Sequence, residues 1–366
     1  MTRLTEGNCS AGSAERSAPV PCKKTTRKAL SRLLVPFLFL STACTTASAD
    51  RDAGRVVFYT SWPQSTTRQV VDAFNRAHPD VRATYVLGET LELGARIQTE
   101  SESGSLGGDV VVLADPAVTE VLARDGAFAE VPLPQFAEMR KGYYDPRGRW
   151  AAPRIAVGAL WYNVEALRSR GLAPPGSWFD LLDPRYAPLT VMPSPVVAGT
   201  MATLISATVP DRRFGWGYWR RLAHGGAGFT NYVTDSARMV AARQAGIGYT
   251  LSNYTKQYPL HPKGSTRIAV PREGGIIVPS AASVLAEAPH PGAARTFFRY
   301  LMSPEVARIL VKDGNYSPRL DAPTPQGLLP LARLPAMRLH TDWIMKPESR
   351  NEIQRRWHEV TGLSGG

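Results

Sequence analysis

The sequence predicts an α/β protein of two units, each an open, mostly parallel sheet flanked by helices. Three observations point there. From Val56 to Gly126, short β-rich runs alternate with stretches of helical periodicity, the order that lays strands side by side with helices across them. After about residue 155 the alternation restarts with a different spacing. The chain has 366 residues, 43% apolar and 20% charged, which is enough for two cores and too apolar for a disordered polymer.

Taken in order, Val56–Tyr59 is a strand that stops at Thr60-Ser61-Trp62-Pro63. Ser65 or Thr66 then caps a helix with Val70, Phe74 and Ala77 on one face, closed before Pro79. Val81–Val86 is the second strand and Leu91–Glu100 the second helix, with a loop over Gly104–Gly108. Asp109–Leu113 reads as a buried parallel strand, and Asp115 with Pro116 forms the cap and first turn of a helix that Gly126 ends. In the second unit Ile155–Tyr162, Leu189–Met192 and Ile247–Leu251 are strands. Helices are expected from Ser177, over Ala198–Ala207, Trp216–Leu222 and Ser236–Gln244. A strand at Ile276–Val278 precedes helices through Ala293–Leu301, Pro304–Lys312 and Arg350–Val360.

Lys23, Lys24, Arg27, Lys28 and Arg32 precede the apolar run Leu33–Leu40, and Ala47-Ser48-Ala49 follows it. Basic region, short apolar stretch and small-residue site make residues 1–49 a secretory signal peptide. Leu40-Ser41-Thr42-Ala43-Cys44 offers a second ending, a lipoprotein leader that stops at 43 and leaves Cys44 lipidated. Both endings place the protein in the periplasm or otherwise outside the cytoplasmic membrane, soluble or tethered. The apolar run falls far short of the ~20 residues that span a bilayer, which excludes an integral membrane protein. The leader holds seven Lys/Arg and two Glu, so the remainder keeps 36 basic against 29 acidic residues, a net +7. These charges are scattered and show no basic face with stacking aromatics, so no nucleic-acid partner is expected. Cys9, Cys22 and Cys44 all lie in the leader region, so a chain starting at Asp50 has no disulfide, thiolate nucleophile or cysteine metal site.

A series of short words runs through the chain in order: Val57-Phe-Tyr-Thr-Ser61, Leu93-Gly-Ala-Arg-Ile-Gln98, Gly108-Asp-Val-Val-Val112, Gly148-Arg-Trp150, Leu160-Trp-Tyr-Asn163, Ser177-Trp-Phe-Asp-Leu-Leu-Asp-Pro-Arg-Tyr186, Ala198-Gly-Thr200, Pro271-Arg-Glu-Gly274, His290-Pro-Gly-Ala-Ala294 and Leu301-Met-Ser-Pro304. Together they resemble the periplasmic solute-binding proteins of bacterial ABC importers, extracellular solute-binding family 1, in the branch first described for ferric iron. The resemblance implies the type II periplasmic binding fold, two α/β lobes that close on a solute by hinge motion. Lobe one would take residues 50–157 and return over 274–366 with the C-terminal helices, and lobe two residues 158–273. Crossings are expected near Ile155–Tyr162 and Arg272–Val278. It further implies a monomer that hands a small molecule to a membrane permease, with no cofactor and no chemistry of its own.

The iron-binding members resembling this chain use adjacent tyrosines late in lobe two. Here Thr255 follows Tyr254, and the arginine stretch before the crossing, Arg154-Ile-Ala-Val-Gly158, holds one arginine instead of two. Tyr143-Tyr144, the only adjacent pair, precedes the turn Asp145-Pro-Arg-Gly148 and reads as loop packing. No metal site is therefore assigned, with ferric iron held by tyrosine phenolates as the alternative. The remaining members of the branch bind small organic, often phosphorylated, compounds.

Within that resemblance, which implies a phosphorylated or phosphonate-like compound, a physical reading of the residues supports an anion. Gly199 and Thr200 open a helix after a strand, where backbone N–H groups and the dipole attract negative charge; the other reading is an ordinary helix start. Thr60 and Ser61 are the matching donors in lobe one. Trp62 is an apolar wall or a packing residue, and Glu89 and Thr90 stand at the cleft edge. Asp115 either receives a ligand hydroxyl or ammonium or simply caps its helix. Arg154 pairs bidentately with a phosphate or is a surface charge. Tyr249 and Asn253 face these groups from lobe two.

A secreted hydrolase is the rival class. The chain contains neither H-E-x-x-H nor G-x-S-x-G, and His78, His224, His261, His290, His340 and His358 are isolated, most beside Pro or Gly as in surface loops. No catalytic residue is assigned.

Overall fold

The computed structural model describes residues 54–257 and 265–362. The leader with its cysteines, and His261, lie outside the described residues. In chain order β1 (Arg55–Thr60), α1 (Gln64–Ala77), β2 (Arg82–Leu87), α2 (Thr90–Glu102), β3 (Val110–Leu113) and α3 (Pro116–Arg124) form the first run. Then come β4 (Ala151–Asn163), α4 (Val164–Arg168), β5 (Thr190–Pro193), α5 (Gly199–Thr208) and α6 (Gly215–His224). They are followed by β6 (Gly228–Thr230), α7 (Val233–Ala241), β7 (Ile247–Leu251) and the short α8 (Tyr254–Gln257). β8 (Thr266–Ala269), β9 (Ile276–Val284), α9 (Pro291–Leu301), α10 (Pro304–Lys312), α11 (Thr341–Ile344) and α12 (Pro347–Thr361) complete the chain.

The strands are joined in the order β2-β1-β3-β9-β4-β7-β5-β6, with β8 beside β4. β1 lies parallel to β2 and β3, and β5 lies parallel to β6 and β7. Between these parallel halves run β9 and β4, antiparallel to each other and to their outer neighbours. β4 pairs with β9 from Ala151 to Gly158, then with β7 from Gly158 to Tyr162, so one strand serves both halves. A side chain at Gly158 would collide with the Tyr249 ring, so glycine permits the close approach of β7 there.

Each half has its own core. Val56, Phe58, Phe74, Val110, Phe297 and Leu301 fill one face of the first half, while Leu93, Ile97, Val111 and Leu122 fill the other. Trp161, Trp178, Leu204, Trp219 and Tyr249 centre the second. Trp357 of α12 is 2% exposed and lies edge-on to Trp219 and Phe229, so the C-terminal helix rests on α6 of the second half. No described helix is long and apolar enough to cross a membrane.

Several local expectations need correction. α1 begins at Gln64 after Pro63, not at a Ser65 or Thr66 cap; the Thr66 hydroxyl instead donates to the carboxylate of Asp313 at the end of α10. Ala77 is exposed, and Thr67, Val71 and Ala73 join Val70 and Phe74 on the buried face. The segment from Ser177 is a single 3-10 stretch, Trp178–Leu182, since Pro184 removes a donor and disfavours helix at Asp183. His290 is not in a surface loop: it is 4% exposed, and its ring Nδ1 lies 2.9 Å from Asp109. Tyr144 does pack, stacked on Phe136 with centroids 4.8 Å apart.

Candidate functional site

The C-terminal ends of β1, β2 and β3 meet at one rim of the first half. Such rims are where open α/β sheets bind ligands. Their loops are tied together: Gly88 N–H donates to the Thr60 carbonyl at 3.2 Å, and Ser61 N–H to the Val112 carbonyl at 3.1 Å. Ala114 N–H donates to the Thr90 hydroxyl at 3.2 Å, fixing the start of α2 against the end of β3. Across the gap α5 begins at Gly199. Its cap, Ala198, has no side chain to offer, and the first intrahelical bonds are donated by Met201 and Ala202. The N–H groups of Gly199 and Thr200 precede them. A Cβ at Gly199 would lie 3.3 Å from that of Thr90 and 3.6 Å from that of Asp115, so the two halves approach closely here and a larger residue would be tight.

Behind this contact is an inner chamber of about 60 Å³, lined by Ser61, Glu89, Thr90, Arg154, Gly199, Thr200 and Tyr254 among others. It adjoins an outer chamber of about 500 Å³ with Thr60, Trp62, Ser65, Glu89, Glu92 and Thr234 on its walls. Arg154, from β4, and Glu89 are the charged residues on the walls of the inner one. Arg154 is 1% exposed, with Nε donating to Asn315 at 2.6 Å, one terminal nitrogen to Asn253 at 3.1 Å and the other to Ser280 at 3.5 Å. All three partners are neutral, and among the described residues no carboxylate forms an ion pair with it. Burial pulls its pKa down to about 10, against the opposing influence of Tyr254 and Asp313. A guanidinium has five N–H groups, so two remain. Around it the side-chain nitrogens of Asn253, Asn315 and Trp62 are buried with no hydrogen-bond partner. The guanidinium carbon lies 5.9 Å from the Trp62 ring. The cluster is rich in donors and poor in acceptors.

The profile of the bacterial extracellular solute-binding proteins matches residues 108–341. This chain belongs to that family. The solute-binding protein is also 25% identical, over 208 residues, to the phosphoglycerate transport regulatory protein PgtC of Salmonella typhimurium, a match covering 55% of this chain and 51% of the other. It thus spans about half the length of the curated relatives it matches. Among solved structures it superposes on the periplasmic binding protein AfuA of Actinobacillus pleuropneumoniae with fructose-6-phosphate bound, at a TM-score of 0.74 and 20% identity over 85% of this chain and 99% of that one. Iron-bound HitA of Pseudomonas aeruginosa gives 0.72 and 17% over 84% and 99%. The fold is that of the two-lobed periplasmic binding proteins, as the ordered words implied.

Of the eleven residues singled out from the sequence, Ser61, Glu89, Thr90, Arg154, Gly199 and Thr200 line the inner chamber, and Thr60 and Trp62 the outer. Arg154 is a buried residue and not a surface charge. Three stand behind the walls. Asp115 caps α3, accepting from Ala117 N–H at 2.8 Å and Val118 N–H at 3.4 Å. Its other oxygen is buried 3.9 Å from Arg350, and loss of water raises its pKa more than Arg350 lowers it. The Tyr249 hydroxyl donates to the Thr200 carbonyl at 3.1 Å, which braces the start of α5. Asn253 orients Arg154. Glu89 reaches solvent, yet loss of water at its carboxyl and then the charge of Glu92 raise its pKa. Thr234, Tyr254 and Asn315 were not anticipated. Tyr254 had a signal, its place just after β7; Thr234 and Asn315 carry none that is local.

Proposed function

We propose that this solute-binding protein captures a small anionic solute, phosphorylated or phosphonate-like, in the cleft between its lobes and delivers it to an ABC permease. The observation that carries the reading is Arg154: a buried guanidinium with neutral partners only, beside an uncapped helix start and three orphaned donors. An anion in the inner chamber would meet the guanidinium and the helix start together. The phosphorylated compounds named for AfuA and PgtC support the same chemistry.

Lobe one comprises residues 50–157 and the return from 274 and lobe two 158–273, a division that the dual pairing of β4 supports, but α11 and α12 join lobe two, with Ile344, Ile353, Trp357 and Val360 in its core. The protein acts outside the cytoplasmic membrane, as a monomer, by binding alone. Ferric iron fits less well. Burial raises the pKa of the Tyr249 phenol above the usual 10, away from phenolate, and its proton is engaged by Thr200.

A thermal-shift screen of purified protein against phosphate esters, phosphonates, thiamine, polyamines and ferric citrate tests the proposal. A solute that binds only the folded state raises the melting temperature by mass action. A rise with phosphate esters or phosphonates is expected. A rise with ferric citrate alone would replace this reading with the iron one.

A further inference from the structure

At the start of α3 the first half is buried against the second. Asp115 stands there, 2% exposed, with Ala114 and Ala117 beside it packed into the core of the second half. Its carboxylate oxygens differ. Oδ1 caps α3 through the N–H groups of Ala117 and Val118. Oδ2 is buried, makes no hydrogen bond and faces the Arg350 guanidinium at 3.9 Å. Asp115 follows β3 in lobe one, whereas Arg350 belongs to α12. That helix is fixed to α6 of lobe two by Trp357 against Trp219, and by the Trp216 indole N–H donating to Glu352 at 2.9 Å. The pair therefore spans the lobes. Among the described residues no other carboxylate lies within ion-pair distance of Arg350. Capping accounts for one carboxylate oxygen, but Asn would cap α3 as well without a charge. It does not account for a second oxygen buried opposite an arginine of the other lobe.

Hinge opening draws α3 away from α5 and α12, so Asp115 is buried in the closed form and hydrated in the open one. Closure takes this carboxylate out of water, at a cost that falls when a cation meets it. We propose that Arg350 is a positioning residue for closure, the counter-charge that lobe two brings to Asp115, and that this pair sets the open–closed balance and with it solute affinity. Neither residue lines either chamber, so the control is exerted from outside the solute. It goes beyond the anion reading and does not depend on it. The offset is partial, since loss of water raises the Asp115 pKa more than Arg350 lowers it. Charge at position 115 thus favours the open form and Arg350 tempers it. The measured affinity is then the intrinsic one scaled by the fraction of protein able to close.

Small-angle scattering and calorimetry on the purified protein and on Asp115→Asn, Arg350→Ala and the double variant test this, with folding checked by melting temperature. Asp115→Asn keeps the cap and removes the charge. Without solute its mean radius of gyration is expected below that of the parent, and adding Arg350→Ala leaves it there. Titrated with inorganic phosphate, Arg350→Ala is expected to bind about fivefold more weakly than the parent, the scale of one partly exposed charge pair. Arg350→Lys should recover most of that loss. In the Asp115→Asn background the same Arg350→Ala change moves affinity by about twofold or less, because its partner charge is gone. An equal loss in both backgrounds makes Arg350 a packing residue and overturns the proposal. So does a radius for Asp115→Asn no smaller than the parent's. If the parent binds no phosphate the anion reading falls, and the radii decide this proposal on their own.

Discussion

Arg154 sets the balance between stability and binding at the level of single side chains. A buried cation with neutral partners bears a desolvation cost that no ion pair repays, and its removal sets that gain against the cost of leaving the Asn315, Asn253 and Ser280 oxygens without a donor. Arg154→Met should therefore melt close to the parent without solute and lose the shift that a phosphate ester induces. Two charge-assisted hydrogen bonds are at stake, so affinity should fall by about 100-fold or more. A variant that instead melts many degrees lower would make Arg154 a structural residue. Gly199 supplies a complementary test. In Gly199→Val the added carbons would press on Thr90 and Asp115, which already lie 3.3 and 3.6 Å from a Cβ there. Calorimetry should give an affinity about tenfold lower, the scale of modest overpacking, with the melting temperature of the unliganded protein held.

Among elements, α3 and α12 are the informative ones. Asp115→Ala removes the α3 cap and should cost about 1 kcal/mol in denaturant unfolding. Asp115→Asn keeps the cap and behaves differently with pH. The folded pKa of Asp115 stands above the usual 3.8, chiefly through burial. The unfolded chain thus gives up this proton more readily, and stability falls as pH rises from about 3.8 through the folded value. Relative to the parent, Asp115→Asn should gain stability between pH 4 and pH 7. Trp357→Ala empties a site walled by Trp219 and Phe229 and should cost about 3–5 kcal/mol. The fold's alternating elements were legible because each carries a local period or cap. The lengths of β4 and β9 were not: Pro153 and the run Ser280-Ala-Ala-Ser283 do not read as strand, and only pairing with neighbours makes them so. β6 and β8, at three and four residues, are strands by neighbourhood alone. For the site, residues at strand ends and helix starts could be read ahead. Thr234 and Asn315 could not, because the apposition of distant segments places them there.

For the molecule as a whole, hinge motion must be absorbed by the paired β4 and β9, since both halves hang on them. Small-angle scattering should show a smaller radius of gyration on adding a phosphate ester to the parent, and no change in Gly199→Val. The sheet order carries one more implication, for how the chain is made. β3 has β9 as its inner neighbour, and Leu113 pairs with Ala281. Until β9 emerges, everything from the amino terminus through β7 is without the strand that seals the first half, and β3 is left with an open edge. Long-range pairing of this kind slows folding. The growing polypeptide therefore lacks a complete folded half until nearly its last quarter has been synthesised, and for most of its synthesis it carries an unsealed sheet edge.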